Sequence, residues 1–201
     1  MIDLLLERSA LLKGSVVLDV GCGIGGTTRH LAKNHGCQVT GVTISGRQVE
    51  IARKLTLEAS GVQQEGGRTF KLGDGSVRFI ELDAEKMGDF FNVEPNVAKF
   101  DCVWISEAMS HLPNKELFFQ NAAKLLNPGG KLVVADWFKS EDLTEEQFKA
   151  DISPIEGKKL LNEKVLANSL DRWNASPATL QSSRLRTTGT SSWIEDLCGA
   201  F

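Results

Sequence analysis

Between Val16 and Trp137 the apolar residues follow two alternating rhythms. Short runs rich in β-branched residues, at Val16–Val20, Cys37–Thr43, Val77–Leu82, Phe100–Ser106 and KLVVADW ending at Trp137, read as five strands. Between them lie segments whose apolar positions recur every three or four residues, as helices require. One helix is predicted from about Thr27 to Asn34, closed by Gly36. A second starts from Ser45 as N-cap, carries Val49, Ala52, Leu55 and Ala59 on one face, and ends at Gly61. A third runs from Asn114 to Leu126 and leads through the turn NPGG into the last strand. Strands alternating with helices specify βαβ units and a mostly parallel sheet. At the front, Ile2, Leu5, Leu6 and Leu12 predict a short amphipathic helix.

Two regions break the rhythm. The stretch VQQEGGRTFKLGDGS, between Gly61 and Val77, is polar and glycine-rich and reads as an exposed insertion, longer than most connections in compact α/β units. Past Trp137, EDLTEEQFKA reads as a helix, but SPATLQSSRLRTTGTSS is apolar-poor and suggests loose order. The expected organisation is one domain over residues 1–150 and an atypical tail over 151–201.

Composition narrows the function classes. At 201 residues the chain suits one α/β domain, and 41% hydrophobic with 24% charged residues is the balance of a globular protein. A net charge of −3 leaves no cationic excess for duplex nucleic acid. Cys22, Cys37, Cys102 and Cys198 show no CxxC or metal-ligand spacing, and His30, His35 and His111 do not cluster beside them, so reduced thiols and a cytoplasmic setting are expected. Asp3, Glu7 and Arg8 interrupt the leading apolar run, which fits neither a signal peptide nor a membrane span.

The chemistry concentrates at VLDVGCGIGG, where Gly21, Gly23 and Gly26 form GxGxxG. Glycines there allow a sharp turn and close approach of a ligand, and the following helix offers N–H groups and a positive dipole end. A pyrophosphate or a free carboxylate can use that arrangement. Asp19, two residues before the first glycine, would attract a ligand ammonium and gains nothing from a pyrophosphate. The NAD fingerprint also wants an acid at the end of the second strand, where this chain has Thr43. NADP stays open through Arg47, four residues further on.

VLDVGCGIGGTTRHLA, VTGVTISGRQVEIA, FIELDAEKM, FDCVWISEAMSHLPN and LLNPGGKLVVADW, in this order, resemble class I S-adenosylmethionine-dependent methyltransferases. The resemblance runs from about Ile2 to Ile155 and points to the branch with tocopherol and sterol C-methyltransferases and cyclopropane-type synthases, including fungal enzymes of specialised metabolism. It implies a Rossmann-like α/β sheet, S-adenosylmethionine as cofactor and a small, apolar methyl acceptor. Asp19 and the loop Gly21, Cys22 and Gly23 would hold the methionyl end, with Cys22 a small packing residue within it. Thr43, Ser45 and Gln48 match the VTGxTxSxxQ pattern that replaces a ribose acid in this branch, their hydroxyl and amide groups serving the ribose diol. Asp83 would accept from the adenine amino group and the N–H of Ala84 would meet the ring; Asp83 also suits a capping aspartate. Glu107 and His111 are either catalytic groups, as substrate-orienting residue or general base, or a loop glutamate and a histidine at a helix start.

The chain departs from the family at both ends. Sixth and seventh strands look missing or degenerate, KKLLNEKVLANSL reads as a replacement for the usual apolar continuation, and the front reads as shorter than the resemblance leads one to expect. Methyl transfer to a small specialised metabolite is therefore read beside two alternatives: a shortened, non-catalytic relative that binds cofactor or another chain, and, more distantly, an NADP oxidoreductase. No metal ligand set, nucleic-acid partner or oligomeric state is implied.

Overall fold

A computed structural model describes residues 2–59, 62–63 and 68–136 and, beyond them, 138–139, 144–147, 149–150, 153, 161–162, 179–186 and 193–200. Helix α1 (Ile2–Ser9) buries Leu5 and Leu6 against the sheet. Leu12, expected on the same face, is 75% exposed because the helix stops at Ser9 and Ala10 turns into the left-handed region. Then come β1 (Val16–Val20), α2 (Gly26–His35), β2 (Gln38–Thr43) and α3 (Gly46–Glu58). As the sequence predicts, α2 ends at a left-handed Gly36 that donates to Ala32, and the Ser45 hydroxyl caps α3 by accepting from the N–H of Gln48.

The segment after α3 differs from its expected form. Instead of an exposed insertion, β3 (Val62–Gln63) and β4 (Thr69–Leu72) add antiparallel strands beside β5 (Gly75–Glu81). Phe70 and Leu72 are each 1% exposed while Lys71 between them faces solvent, so an alternation only two apolar residues long fastens this edge. The chain continues through a 3-10 turn at Ala84–Lys86 into α4 (Met87–Phe90), then β6 (Phe100–Ser106), a second 3-10 turn at Met109–His111, α5 (Lys115–Leu125) and β7 (Leu126–Ala135). The register between β6 and β7 jumps from Phe100↔Leu126 to Cys102↔Lys131, which throws the expected NPGG turn outward as a bulge.

The sheet order is β3-β4-β5-β2-β1-β6-β7, with β5, β2, β1, β6 and β7 parallel. Both faces are covered. Leu18, Val20, Phe100 and Ile105 pack with α4 and α5 on one side; Val17, Val39, Phe79 and Trp104 pack with α1, α2 and α3 on the other. Neighbouring residues of β1 thus enter opposite cores, as strand geometry requires. Trp104 is fully buried in the second of these cores; Trp137, the expected end of the last strand, lies outside the described residues.

After β7, β8 (Phe138–Lys139) pairs in parallel with β9 (Leu161–Asn162). Where the sequence pattern offers no convincing sixth and seventh strands, β10 (Thr179–Arg186) and β11 (Trp193–Ala200) pair antiparallel as a separate two-stranded sheet, with β11 lying near β7. An antiparallel pair does not need the continuous apolar run of a buried parallel strand, so pattern reading passes over it. Of the helix expected at EDLTEEQFKA, Glu145–Gln147 is helical; most of the tail from 151 falls outside the described residues.

Candidate functional site

The strand order reverses between β2-β1 and β6-β7, and open α/β sheets bind ligands where neighbouring connections part in this way. There the carboxyl ends of β1, β2, β5 and β6 surround a cavity of about 480 Å³. Each strand end supplies part of its wall: Gly21 and Gly23 after β1, Thr43, Ile44 and Gln48 after β2, Leu82 to Glu85 after β5, and Glu107, Ala108 and His111 after β6.

The glycine loop has two working positions. Gly21 lies at φ 73°, and a Cβ on it would come within 2.3 Å of the Ala108 Cβ, so this residue lets the loop pass under the β6 connection. Gly23, at φ 56°, faces open space with no atom within 4 Å of a Cβ, which leaves room against the backbone for a ligand. The N–H groups of Gly21 and Cys22 both donate to the Val42 carbonyl, at 2.9 and 3.0 Å, and anchor the loop to β2. Of the three, Gly23 is therefore the one whose N–H is not tied to the Val42 carbonyl.

Asp19 is placed differently from its expected role. It is 2% exposed, does not line the cavity, and accepts from the Thr28 hydroxyl at 2.6 Å, beneath the loop. Strand alternation explains this: Leu18 and Val20 face one core, so Asp19 points to the other, under α2. Burial pushes its carboxyl up to about 6, opposed by hydrogen bonds from the hydroxyl and backbone of Thr28. Cys22 also stays out of the cavity lining. Its thiol packs against Gly41, where any Cβ would sit 2.9 Å from the sulfur, and burial and the Asp19 charge drive its titration upward.

Beyond β2, the Thr43 hydroxyl donates to Gln48 Oε1 at 2.6 Å, and the Gln48 N–H donates to Ser45 Oγ at 3.3 Å. With Oε1 committed to Thr43, the Gln48 amide keeps its NH₂ as a donor, and Gln48 lines the cavity. Ser45, expected among the ligand-binding residues, is instead the cap that fixes the start of α3 and does not line the cavity. Beyond β5, Asp83 is the capping aspartate that the sequence allowed, its Oδ1 accepting from the Glu85 N–H at 3.0 Å at the start of the 3-10 turn, and it also lines the cavity. Ala84 follows in the same wall.

Glu107 and His111 stand exposed at the rim. Glu107 adopts φ 53°, uncommon outside glycine, and its N–H donates to the Ala135 carbonyl at 2.7 Å. The turn that carries His111 is held by Asp136, whose Oδ2 accepts from the N–H groups of Met109 at 2.7 Å and Ser110 at 3.4 Å. Asp136 went unnoticed in the sequence, although an acid closing the apolar run VVAD was a visible signal. Ile44 and Glu85 were missed too. Ile44 is 74% exposed at the cavity mouth, and Glu85 Oε1 accepts from the Asn114 N–H at 2.7 Å. Arg47, the group left for a 2′-phosphate, points to Glu50 at 2.8 Å on the exposed side of α3.

A Rossmann-like sheet with its cavity at this edge defines a class of protein, and the comparisons agree on which. Residues 1–176 match the family described as a methyltransferase domain, and the chain belongs to that family. It is 40% identical over 129 residues to 2-methyl-6-phytyl-1,4-hydroquinone methyltransferase of Synechocystis sp., covering 64% of this chain and 34% of that protein. It is 32% identical over 141 residues to sterol 24-C-methyltransferase of Eremothecium gossypii, covering 70% and 33%. The chain thus spans about a third of the length of these curated relatives. Among solved structures, coclaurine N-methyltransferase bound to N-methylheliamine and SAH shares 26% identity at a TM-score of 0.52, over 68% of this chain and 35% of that one. The [4+2]-cyclase SpnF superposes at a TM-score of 0.66 with 24% identity, over 91% and 58%, and shows the fold alone.

Proposed function

We propose that this chain transfers a methyl group from S-adenosylmethionine to a small, apolar acceptor. The observation that carries this reading is the meeting of Gly23, Gln48 and Asp83 in one cavity at the sheet's switch point. Their chemistry fits an adenosyl group with an amino-acid tail: open backbone at Gly23, a neutral amide donor for a diol at Gln48, and an acceptor for an exocyclic amine at Asp83. When bound, the cofactor supplies a methyl group already activated on a sulfonium sulfur, which leaves the protein mainly the work of alignment.

In that work, Gly23 and the N–H groups after it receive the amino-acid end, Gln48 donates to the ribose, and Asp83 with the N–H of Ala84 reads the adenine edge. Asp19 acts from below by holding Thr28 and the start of α2, so it positions the loop and does not touch the ligand. Ile44, Leu82 and Leu112 give the cavity apolar walls, and the named relatives that act on a hydroquinone and a sterol favour an acceptor of that character. Glu107 or His111 orients the acceptor at the rim and takes its proton, at a carboxylate oxygen or ring nitrogen, where the accepting atom carries one. We place these functions in residues 1–150 and the protein in the cytoplasm, a reducing setting that suits the unbridged thiols of Cys22 and Cys37. Among the described residues no helix is long and apolar enough to cross a membrane.

Calorimetry with S-adenosylhomocysteine and, separately, NADP tests the cofactor. Saturable binding of the first with no response to the second is expected, and the reverse result ends the proposal. Incubation with radiolabelled S-adenosylmethionine and a panel of quinols, sterols and polyketides then identifies the acceptor.

A further inference from the structure

On the face of the sheet that carries α1 and α2, three groups meet that take no part in the cavity. Asp3 belongs to the first turn of α1, His30 to the middle of α2, and His35 is its last residue. His30 Nε2 lies 2.7 Å and His35 Nε2 3.2 Å from the same Asp3 Oδ1, and the three donor atoms fall within 4.8 Å of one another. The rings are tilted by 40° with centroids 5.3 Å apart, so the imidazoles converge through their edges and do not stack.

We propose that Asp3, His30 and His35 form a binding site for a borderline transition-metal dication, with Zn²⁺ the best match. Two imidazole nitrogens and one carboxylate oxygen make the mixed N/O set that such an ion prefers, whereas Ca²⁺ and Mg²⁺ seek oxygen ligands. The surroundings favour coordination in two further ways. The Asn34 amide nitrogen lies 3.1 Å from His30 Nδ1. The amide oxygen and nitrogen can exchange places by a flip, so Asn34 can accept from a protonated Nδ1 and leave the Nε2 lone pair for the metal. The site is also reachable: the side chains of His30, His35 and Asp3 are 28, 36 and 72% exposed, which leaves the fourth position to water.

Its place in the fold makes the ion a clamp. Helix α2 starts at the cavity edge and runs back to the opposite edge of the sheet, where His35 ends it. Helix α1 has only eight residues, too few to be stable alone, and is tied down by Leu5, Leu6 and the Lys131 ammonium that donates to the Ser9 carbonyl. A bond from Asp3 to two residues of α2 fixes α1 across a chain separation of 27 and 32 residues.

Titration of the tag-free chain with Zn²⁺ by calorimetry at pH 7.5 tests the site. One equivalent should bind with a dissociation constant on the order of a micromolar or lower. Asp3→Asn and His35→Gln should each weaken binding at least about tenfold, and Asn34→Ala by about tenfold. S-adenosylhomocysteine binding serves as the control for folding, and Asp3→Asn, at an exposed carboxylate, keeps the test available if a ring substitution unfolds the chain. X-ray absorption should report nitrogen and oxygen neighbours at about 2.0 Å. Absence of saturable binding overturns the proposal, as does unchanged affinity in His30→Gln and His35→Gln. Sulfur neighbours at about 2.3 Å, which would place the ion on cysteines, do so as well.

Discussion

The passages out of β1 and β5 end at the same edge of the sheet, and each carries an aspartate toward it, yet the two acids do opposite work. Asp19 is driven under the glycine loop, where Thr28 satisfies it and its carboxyl is held near 6. Asp83 is half-buried on a 3-10 turn, commits one oxygen to the Glu85 N–H, and lines the cavity with the rest. The first acid shapes the scaffold and the second opens to the cavity. What separates them is burial and the direction of a strand's side chains, and the residue type is the same. The glycines beside them divide similarly: Gly21 is required by a neighbour, Gly23 by vacant space.

That division can be tested, beginning with the largest effect. Gly21→Ala drives a Cβ into Ala108 from a left-handed backbone, and should cost about 3 kcal/mol or more of unfolding free energy in denaturant titration. Gly23→Ala should cost only about 1 to 2 kcal/mol while weakening S-adenosylhomocysteine binding. Equal destabilisation by the two would mean that Ala108 yields and that the contrast is not real.

Asp19→Asn probes the buried acid through pH. Its carboxyl is raised from 3.8 to about 6 on folding, so the native state holds that proton more tightly than the unfolded chain. Its contribution to stability is full below pH 3.8 and is lost as pH rises through 6. About two pH units correspond to roughly 3 kcal/mol, so between pH 4 and 7 the variant should gain up to about that much relative to the parent. A constant difference across this range would place Asp19 in contact with water or with a cation.

Asp83→Ala should weaken S-adenosylhomocysteine binding by about 1 to 3 kcal/mol, whereas Asp83→Ser, which retains a capping hydroxyl, should restore stability without restoring affinity. Affinity recovered by serine would reduce Asp83 to a cap. The smallest effect is expected at Ser45→Ala: about 1 kcal/mol of stability from the lost α3 cap, with cofactor affinity unchanged.

Much of this was legible in the chain. The alternation of strand and helix rhythms, the stop at Gly36, the Ser45 cap and the glycine loop are local properties, decided within a few residues, and pattern alone determined them along with the parallel sheet. The motif resemblance extended this to the family. Only the tertiary structure decided that Phe70 and Leu72 are core, that Asp19 lies beneath the loop while Asp83 opens to the cavity, and that Asp136 holds the turn of His111 from 25 or more residues away. Whether a polar-looking segment is covered, or a charge is stripped of water, depends on which distant element packs over it. A local pattern carries the period of a strand or helix but not the identity of its neighbour, and burial, which sets both the energy of an acid and its role, belongs to the neighbour.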